Sequence, residues 1–209
     1  MEDNLLLFII ILCIFFSILI FFNKDLFDKD VIRVKSTLDG EVYLVRKLPN
    51  PEEAANLLAG YKQDIIKLSE KLKDKYIDNA DKKSEDYAYR KNGVERLLNN
   101  FKVNISESDP YHIYKSYMIN KGESLHLCLR HTQDRGYEFN DRNLVIFTIC
   151  HELAHVCNIT LQHPPEFWSW MQVLLVAAEE IGMYHPVDYS KYPKEYCGMT
   201  ISSTPYIFK

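Results

Sequence analysis

The longest apolar stretch of the chain lies near its N-terminus. Residues 5–22 form 18 consecutive positions without a charge, in which Leu, Ile and Phe dominate. A helix of this length rises about 27 Å, which is just enough to cross the hydrocarbon core of a bilayer. The segment is preceded by acidic residues and lacks a small-x-small cleavage site, so it differs from a cleaved signal peptide. We predict one uncleaved transmembrane helix; the alternative is a core helix buried in a larger protein.

The cations around this segment predict its orientation. All of the nearby ones follow it, namely Lys24, Lys29, Arg33 and Lys35. By the positive-inside rule, this places the C-terminal part of the chain on the cytoplasmic side. The expected organisation is an N-terminal transmembrane anchor at residues 1–23, a juxtamembrane linker at 24–30 and a folded domain at 31–209, in a single-pass membrane protein.

Alternating apolar and polar positions open the folded domain. Residues 31–36 and 41–46 both alternate, and Asp39-Gly40 between them is a tight-turn dipeptide, so we predict a β-hairpin. Asn50 then precedes a proline, with a carboxylate three residues after the asparagine. This arrangement predicts a helix capped by Asn50 that runs to about residue 76. A second helix is expected near residues 85–101.

The centre of the domain contains a predicted loop and a second hairpin. Residues 106–110 have the composition of a loop. Residues 116–120 and 124–130 flank a Lys-Gly-Glu turn and predict two strands. In the second of them Leu125, Leu127 and Leu129 share one face, and His126, Cys128 and Arg130 share the other.

The segment from residue 143 to residue 158 has helical periodicity. Its apolar stripe consists of Ile146, Cys150, Leu153 and Cys157. Since these positions recur at spacings of 4, 3 and 4, we predict a helix that buries this stripe and leaves the opposite face for polar residues.

Composition narrows the classes of function. The formal charge is −4, and lysines and arginines are interleaved with acidic residues, so nucleic-acid binding has no electrostatic support. The five cysteines, Cys13, Cys128, Cys150, Cys157 and Cys197, are an odd number and include no CxxC pair. We therefore expect free thiols in a reducing compartment.

The polar face of the helix at 143–158 carries the motif His151-Glu152-Leu153-Ala154-His155. Side chains four residues apart lie on one helix face, so His151 and His155 can bind a single metal ion. Glu152 then lies beside the metal without binding it. These are the residue types that zinc-dependent hydrolysis uses, with zinc activating a water molecule and Glu152 acting as general base.

Catalytic zinc needs a third protein ligand and one open position. His163 is the first candidate, because it follows His155 by eight residues and is followed by two prolines that start another helix. Glu179 or Glu180 on that next helix is the alternative. Ordinary polar contacts are expected for the other histidines, His112, His126, His131 and His185.

The hydrolysis of a peptide also needs substrate contacts and a donor for the oxyanion. We expect residues 125–130 to be an edge strand beside the metal helix, along which a peptide would add as a further strand. Suitable donors are Tyr196, Tyr189, Tyr184 and Arg130, among which the sequence does not choose. Tyr196 and Arg130 are the two we carry forward as possible oxyanion or substrate contacts.

Three segments together resemble a known family. The sequences at 124–130 (SLHLCLR), 151–155 (HELAH) and 163–168 (HPPEFW) are similar to those of the WLM and SprT-like zinc metallopeptidases. The resemblance implies His151, His155 and His163 as zinc ligands and Glu152 as general base, with two aromatic residues packed behind the site. Segments 43–46, 120–122 and 196–199 also resemble those of membrane-tethered relatives in large DNA viruses.

Cellular members of that family degrade proteins crosslinked to DNA and use basic or modifier-binding extensions. We recognise no such extension in this sequence, and we predict a membrane anchor instead. We therefore do not expect this chain to share that substrate. The resemblance to viral relatives makes a virion membrane or a host internal membrane the candidate location.

The sequence thus predicts an α+β, zincin-like (minigluzincin or SprT-like) domain with a small antiparallel sheet and an HExxH helix, preceded by one transmembrane helix. The predicted function of residues 31–209 is zinc-dependent hydrolysis of a protein or peptide substrate. The predicted partners are that substrate, Zn²⁺ and a membrane through residues 5–22, with no nucleic acid. One alternative is a catalytically silent zinc-binding membrane or virion structural protein; another is a scaffold in which the histidines are coincidental.

Overall fold

The computed structural model describes residues 10, 12–14 and 30–208. The predicted transmembrane helix at residues 5–22 falls almost entirely outside these residues, so it stays a prediction. Within the described part of the chain, no helix is long and apolar enough to cross a membrane. The chain divides into two compact units, Met1–Ile32 and Arg33–Lys209. Apart from the first two residues of the first strand, the fold and site described below belong to the second unit.

The first half of the domain follows the predicted pattern. Strands β1 (Val31–Lys35) and β2 (Val42–Arg46) form a two-stranded sheet, which confirms the first hairpin. Helix α1 (Pro51–Lys73) continues into a π-helical turn (Asp74–Asp78), and α2 (Tyr87–Asn100) follows. Asn50 takes the N-cap position of α1 in a left-handed conformation, but its side chain makes no capping hydrogen bond.

The second half consists of three short strands, two long helices and a final hairpin. Strands β3 (Ile105–Glu107), β4 (Tyr117–Ile119) and β5 (Ser124–Leu127) precede a 3₁₀ turn at Gln133–Arg135. Helices α3 (Arg142–Cys157) and α4 (Pro165–Glu180) confirm the predicted histidine helix and the proline-started helix. The hairpin of β6 (Lys194–Tyr196) and β7 (Met199–Ile201) ends the domain.

The central sheet corrects two predictions from the sequence. Its order is β3-β5-β4, with β3 parallel and β4 antiparallel to β5, so it is mixed and not antiparallel. The predicted loop at residues 106–110 is wrong at its start, because Ser106 and Glu107 belong to the parallel strand β3. The polar composition of β3 hid it, because its Glu107 is buried in an ion pair with Arg130.

This strand order also changes which strand lies at the edge of the sheet. The expected edge strand at residues 125–130 is wrong, since β5 lies between β3 and β4 and ends at Leu127. In the described sheet the edge next to the histidine helix is β4, which contacts α3.

Helix α3 forms the core of the domain. Asp141 caps it by accepting a hydrogen bond from the backbone N–H of Leu144, at 3.1 Å. The predicted stripe of Ile146, Cys150, Leu153 and Cys157 is fully buried. Helices α2 and α4 pack against α3, which is thereby enclosed on most of its surface.

A disulfide bond joins Cys128 to Cys197, across 69 residues. The prediction of free thiols is therefore wrong for these two cysteines, whereas Cys13, Cys150 and Cys157 are free. Spacing in the sequence could not reveal the pair, because it forms only when the β6–β7 hairpin returns to the end of β5. Structural disulfides are typical of oxidising compartments, so the bond also removes the thiol argument for a reducing one.

Candidate metal centre

The histidines of α3 lie on the face of the helix that is least enclosed. His151 and His155 are half-buried, while the neighbouring Leu153 and Ala154 are fully buried. One helical turn separates the two imidazoles, whose ring centroids lie 5.0 Å apart. Helical spacing thus delivers two nitrogen ligands to the same point.

His163 joins this pair from the loop between α3 and α4. Gln162 has a positive φ of 64°, which turns the chain back toward the helix. The Nε2 atoms of His163 and His151 lie 3.1 Å apart, and a ligand atom from each of the three histidines lies within 4.8 Å of the others. Two nitrogens on one tetrahedral zinc ion would lie about 3.3 Å apart, so the His151–His163 pair has the spacing of a zinc site and the third imidazole is close enough to join it.

A cation from the β4–β5 turn holds the loop that carries His163. Lys121 Nζ donates hydrogen bonds to the carbonyls of Asn158 and Ile159, at 2.9 and 2.5 Å, and reaches that of Thr160 at 3.3 Å. Arg96 Nε donates to the carbonyl of Cys157 at 3.0 Å. These bonds satisfy carbonyls at the C-terminal end of α3 and fix the start of the loop.

Burial keeps the imidazoles of α3 neutral. It lowers the pKa of His151 to about 3, with help from the charges of His155 and His163. Burial likewise lowers the pKa of His155 to about 4, with smaller contributions from His163 and Lys121. A neutral imidazole has the free lone pair that a metal ion binds, so these two side chains are in ligand form at neutral pH.

Glu152 is buried beside the histidines and lies outside the ligand cluster. Burial raises the pKa of its carboxyl to about 8, and a hydrogen bond from the backbone of Met118 in β4 opposes that shift. A carboxyl with a pKa near neutrality exchanges protons readily at physiological pH. At that pKa most of the carboxyl is protonated at neutral pH, so the helix presents a proton-transfer group next to its candidate metal ligands, and a cation bound beside it would favour the charged, proton-accepting form.

The rival third ligands lie elsewhere. Glu180 forms ion pairs with Lys71 and Lys75, at 3.0 and 2.8 Å, and Glu179 accepts a hydrogen bond from the hydroxyl of Tyr206. In the described residues, the three histidines are the one group of His, Cys, Asp and Glu side chains that comes close enough to hold a metal. The geometry therefore favours His163 over both glutamates.

The two residues proposed to contact the oxyanion or substrate, Tyr196 and Arg130, lie in different parts of the domain. Tyr196 is buried next to His151 and Glu152, and its hydroxyl lies 2.6 Å from Ser116 Oγ. Arg130 is absent from the residues that line the site in the described structure. It is buried, with Nε 2.7 Å from Glu107 Oε1 and further hydrogen bonds to the carbonyls of Pro49 and Asn50. Arg130 thus holds the sheet to the start of α1.

The other tyrosine candidates, Tyr184 and Tyr189, pack around Phe147 of α3. Tyr189 packs edge-on against Phe147, with ring centroids 4.8 Å apart, and Tyr184 is buried near the same ring. The two aromatic residues that follow His163 do lie beside the histidines. Phe167 is fully buried with its ring centroid 4.4 Å from that of His155, and Trp168 is 5.7 Å from His163.

Two cavities meet at the centre. The smaller has a volume of about 260 Å³ and the larger about 450 Å³. Both are lined by Tyr114, Ser116, His151 and Glu152. Sequence reasoning missed Ser116, Phe147, Thr148 and Met171, which line the smaller cavity, because no motif distinguishes them from ordinary core or loop residues.

The fold and the site define an α+β protein with a three-histidine candidate metal centre on an HExxH helix. The model of the WLM domain family matches residues 99–201, a segment that contains β3 to β7 and all three histidines. The chain belongs to the WLM domain family, which is a metallopeptidase-like family associated with zinc.

Viral proteins are among the relatives. The chain is 33% identical to "Uncharacterized protein R325" of Acanthamoeba polyphaga mimivirus over 184 residues, which is 88% of each chain. It is 35% identical to "Uncharacterized protein 042R" of Invertebrate iridescent virus 3 over 85 residues, or 41% of this chain and 50% of that one. Identity to "Uncharacterized protein 136R" of Invertebrate iridescent virus 6 is 30% over 105 residues, or 50% and 57%. No solved structure matches.

Proposed function

We propose that this protein is a membrane-anchored zinc metallopeptidase with a zincin-like domain. The observation that carries the proposal is the convergence of His151, His155 and His163, with Glu152 buried beside them, where two cavities meet. Structural zinc sites are closed by four protein ligands, whereas catalytic sites use three and keep a position open. A three-histidine group that opens onto two cavities matches the catalytic arrangement.

Each residue has a defined role in this proposal. His151, His155 and His163 would hold zinc, which when bound supplies Lewis acidity and lowers the pKa of a water molecule. Glu152 would accept a proton from the attacking water and pass it to the leaving amine. The burial that raises the pKa of Glu152 helps the carboxyl to hold the proton between the two steps, and a cation bound at the histidines would favour the carboxylate at the start.

The edge strand β4 offers the main-chain contacts that a peptide needs. The backbone of Met118 already hydrogen-bonds Glu152, so this strand runs directly beside the reacting groups. A substrate that adds to β4 as a further strand would bring its peptide bonds past Glu152. This assigns to β4 the role that the sequence had assigned to residues 125–130.

Anchoring through residues 5–22 is part of the proposal, and two features predict opposite sides of the membrane. The cations at residues 24–35 favour a cytoplasmic domain. The Cys128–Cys197 disulfide favours an oxidising compartment. Protease protection of the full chain in sealed membrane vesicles, with detergent-opened vesicles as control, decides between them.

Metal analysis combined with a peptidase assay of the purified full-length chain tests the chemistry. We expect one zinc per chain and hydrolysis of an unfolded protein substrate. Glu152→Gln should keep its zinc and lose activity by about 10²- to 10⁴-fold, the range that general-base catalysis contributes. Glu179→Gln is the matched control and should keep both.

Three outcomes would contradict parts of this assignment. Undiminished hydrolysis in Glu152→Gln would remove the general base from the mechanism. A wild-type chain that holds zinc and hydrolyses nothing would favour the catalytically silent structural protein. His163→Ala with full zinc occupancy would move the third ligand to another residue.

A further inference from the structure

We propose that the 260 Å³ cavity beside Glu152 binds one large apolar side chain of the substrate, next to the bond that is cut. The preferred substrates are then extended polypeptide segments with an aromatic or long aliphatic residue at that position. This inference rests on the proposed peptidase function and adds the substrate class to it.

The lining of this cavity is apolar where it is deepest. Phe147, Met171 and Tyr196 are buried and form its floor, with exposed fractions of 6%, 0% and 1%. Trp168, Met199 and Ile201 also line it. A substrate side chain placed here exchanges water for aromatic rings and thioethers, which stabilises large apolar groups.

The size of the cavity fits a whole side chain. A dry protein cavity of about 150 Å³ is large enough to bind benzene. The volume here is about 260 Å³, so a phenyl, isobutyl or thioether side chain has room. Small side chains would leave much of the apolar lining without contacts.

Charged side chains would find few partners in this cavity. Of the residues that line it, Lys115 and Glu152 are the charged ones besides the metal-site histidine. Lys115 Nζ donates a hydrogen bond to the carbonyl of Pro110 at 3.0 Å, and Glu152 is assigned to the proton transfer. A substrate ammonium would therefore lose its hydration without a free counter-ion, and a substrate carboxylate would have Lys115 as its one cationic neighbour besides the histidine among the lining residues.

The position of the cavity allows it to select the substrate side chain next to the reacting bond. It shares His151 and Glu152 with the larger cavity, which is also lined by Tyr117 and Met118 of the edge strand β4. A peptide that follows β4 past Glu152 therefore has the smaller cavity beside the reacting bond. The side chain that enters it belongs to a residue flanking that bond.

Exposed apolar side chains mark the mouth of the same cavity. Tyr114, Met199 and Trp168 line it and are 69%, 48% and 38% exposed. Grouped apolar surface at a cleft indicates an apolar binding partner. The occupant that also explains the adjoining metal centre is a polypeptide substrate.

The wall that contains Ile201 is held in place. The β6–β7 hairpin is tied to the end of β5 by the Cys128–Cys197 disulfide, and Tyr196 hydrogen-bonds Ser116. A wall fixed by a covalent bond keeps the shape of the cavity, which is the condition for discriminating among side chains.

Matched peptides that differ in one residue test this inference on the zinc-loaded full-length chain. The residue on each side of the cut bond is varied among Phe, Leu, Ala, Asp and Lys, and mass spectrometry locates the cut. We expect kcat/KM for Phe or Leu to exceed that for Ala by about 10- to 100-fold on one side of the bond. Asp and Lys should be poorer than Ala.

A second measurement does not depend on turnover. Peptidyl hydroxamates with a benzyl, methyl or carboxymethyl group are compared by calorimetry, and the benzyl compound should bind most tightly. Ile201→Lys should abolish the preference for benzyl and favour carboxymethyl, because it places a cation in the cavity wall. Ile113→Lys, at a 79% exposed position outside the lining, is the control and should retain the benzyl preference.

The outcomes separate the two proposals. Hydrolysis with equal rates for Phe, Ala and Asp peptides, or an unchanged preference in Ile201→Lys, overturns this inference and leaves the peptidase. A zinc-loaded chain that hydrolyses no peptide overturns the peptidase and, with it, the substrate class.

Discussion

Helix α3 and the β6–β7 hairpin border the same cavity, but different forces place them there. Helix α3 is enclosed by α2 and α4 and carries two candidate metal ligands at a spacing set by its own geometry. The hairpin has strands of three residues each and is fixed by a disulfide to a residue 69 positions earlier. Packing and local geometry thus position the candidate metal centre, whereas a covalent long-range link positions the cavity wall to which we assign substrate selection.

The largest effect is expected from removing a ligand on α3. His155→Ala leaves two imidazoles, so zinc affinity should fall by more than about 100-fold and hydrolysis should be lost. His185→Ala is the matched control, because His185 is exposed and outside the cluster. Equilibrium dialysis against a zinc buffer measures the zinc affinity of both variants. Equal affinities would show that His155 is not a zinc ligand.

Breaking the Cys128–Cys197 disulfide should lower the stability of the fold without changing its affinity for zinc. Cys197→Ser releases the hairpin, and closing a loop of 69 residues predicts a loss of about 4 kcal/mol in the free energy of unfolding. The folded fraction should still bind zinc with wild-type affinity, since all three ligands lie outside the hairpin.

Urea denaturation measures the loss in the free energy of unfolding. The wild-type protein in the presence of a reductant should show the same loss as Cys197→Ser. Cys13→Ser should behave as wild type, because Cys13 is an exposed free thiol. A large fall in zinc affinity in Cys197→Ser would show that the hairpin and the metal centre are not independent.

A third variant tests the packing that supports α3. A Cβ atom on Gly93 of α2 would lie 2.0 Å from the ring of Trp170 in α4. Gly93→Ala should therefore cost about 1 to 3 kcal/mol through overpacking. Gly60→Ala in α1 meets no atom within 4 Å and should stabilise the helix by up to about 1 kcal/mol. Thermal unfolding of both variants measures this difference in stability. Equal shifts in Tm would contradict the close approach of Gly93 to Trp170.

The smallest effect is expected at the loop that carries His163. Lys121→Met removes the ammonium that binds three carbonyls of this loop, while keeping much of the side-chain length. Zinc affinity should fall by about 10-fold, because His163 is then less well positioned. Lys102→Met removes an exposed lysine that binds only the nearby Asn99 carbonyl in the described structure, and should leave affinity unchanged. Equal affinities in the two variants would assign Lys121 to stability alone.

Most helices and the β1–β2 and β4–β5 hairpins could be predicted because their signals are local, whereas the β6–β7 hairpin was not predicted. Pro51 and Pro165 start α1 and α4, and alternation around Asp39-Gly40 gives the first hairpin. Strand β3 escaped prediction because Glu107 looks like a loop residue until Arg130 pairs with it. The same pairing explains why Arg130, a candidate for substrate contact, lies in the core.

By itself the sequence determined the helix that carries the histidines, the pairing of His151 with His155 on one face, and the position of Glu152 beside them. These features follow from 3.6 residues per turn and need no distant partner. Tertiary structure decided that His163 and neither Glu179 nor Glu180 joins the pair, that β4 is the edge strand, and that Cys128 meets Cys197. Each of these depends on the return of a distant segment to the core, and packing, not local spacing, sets that path.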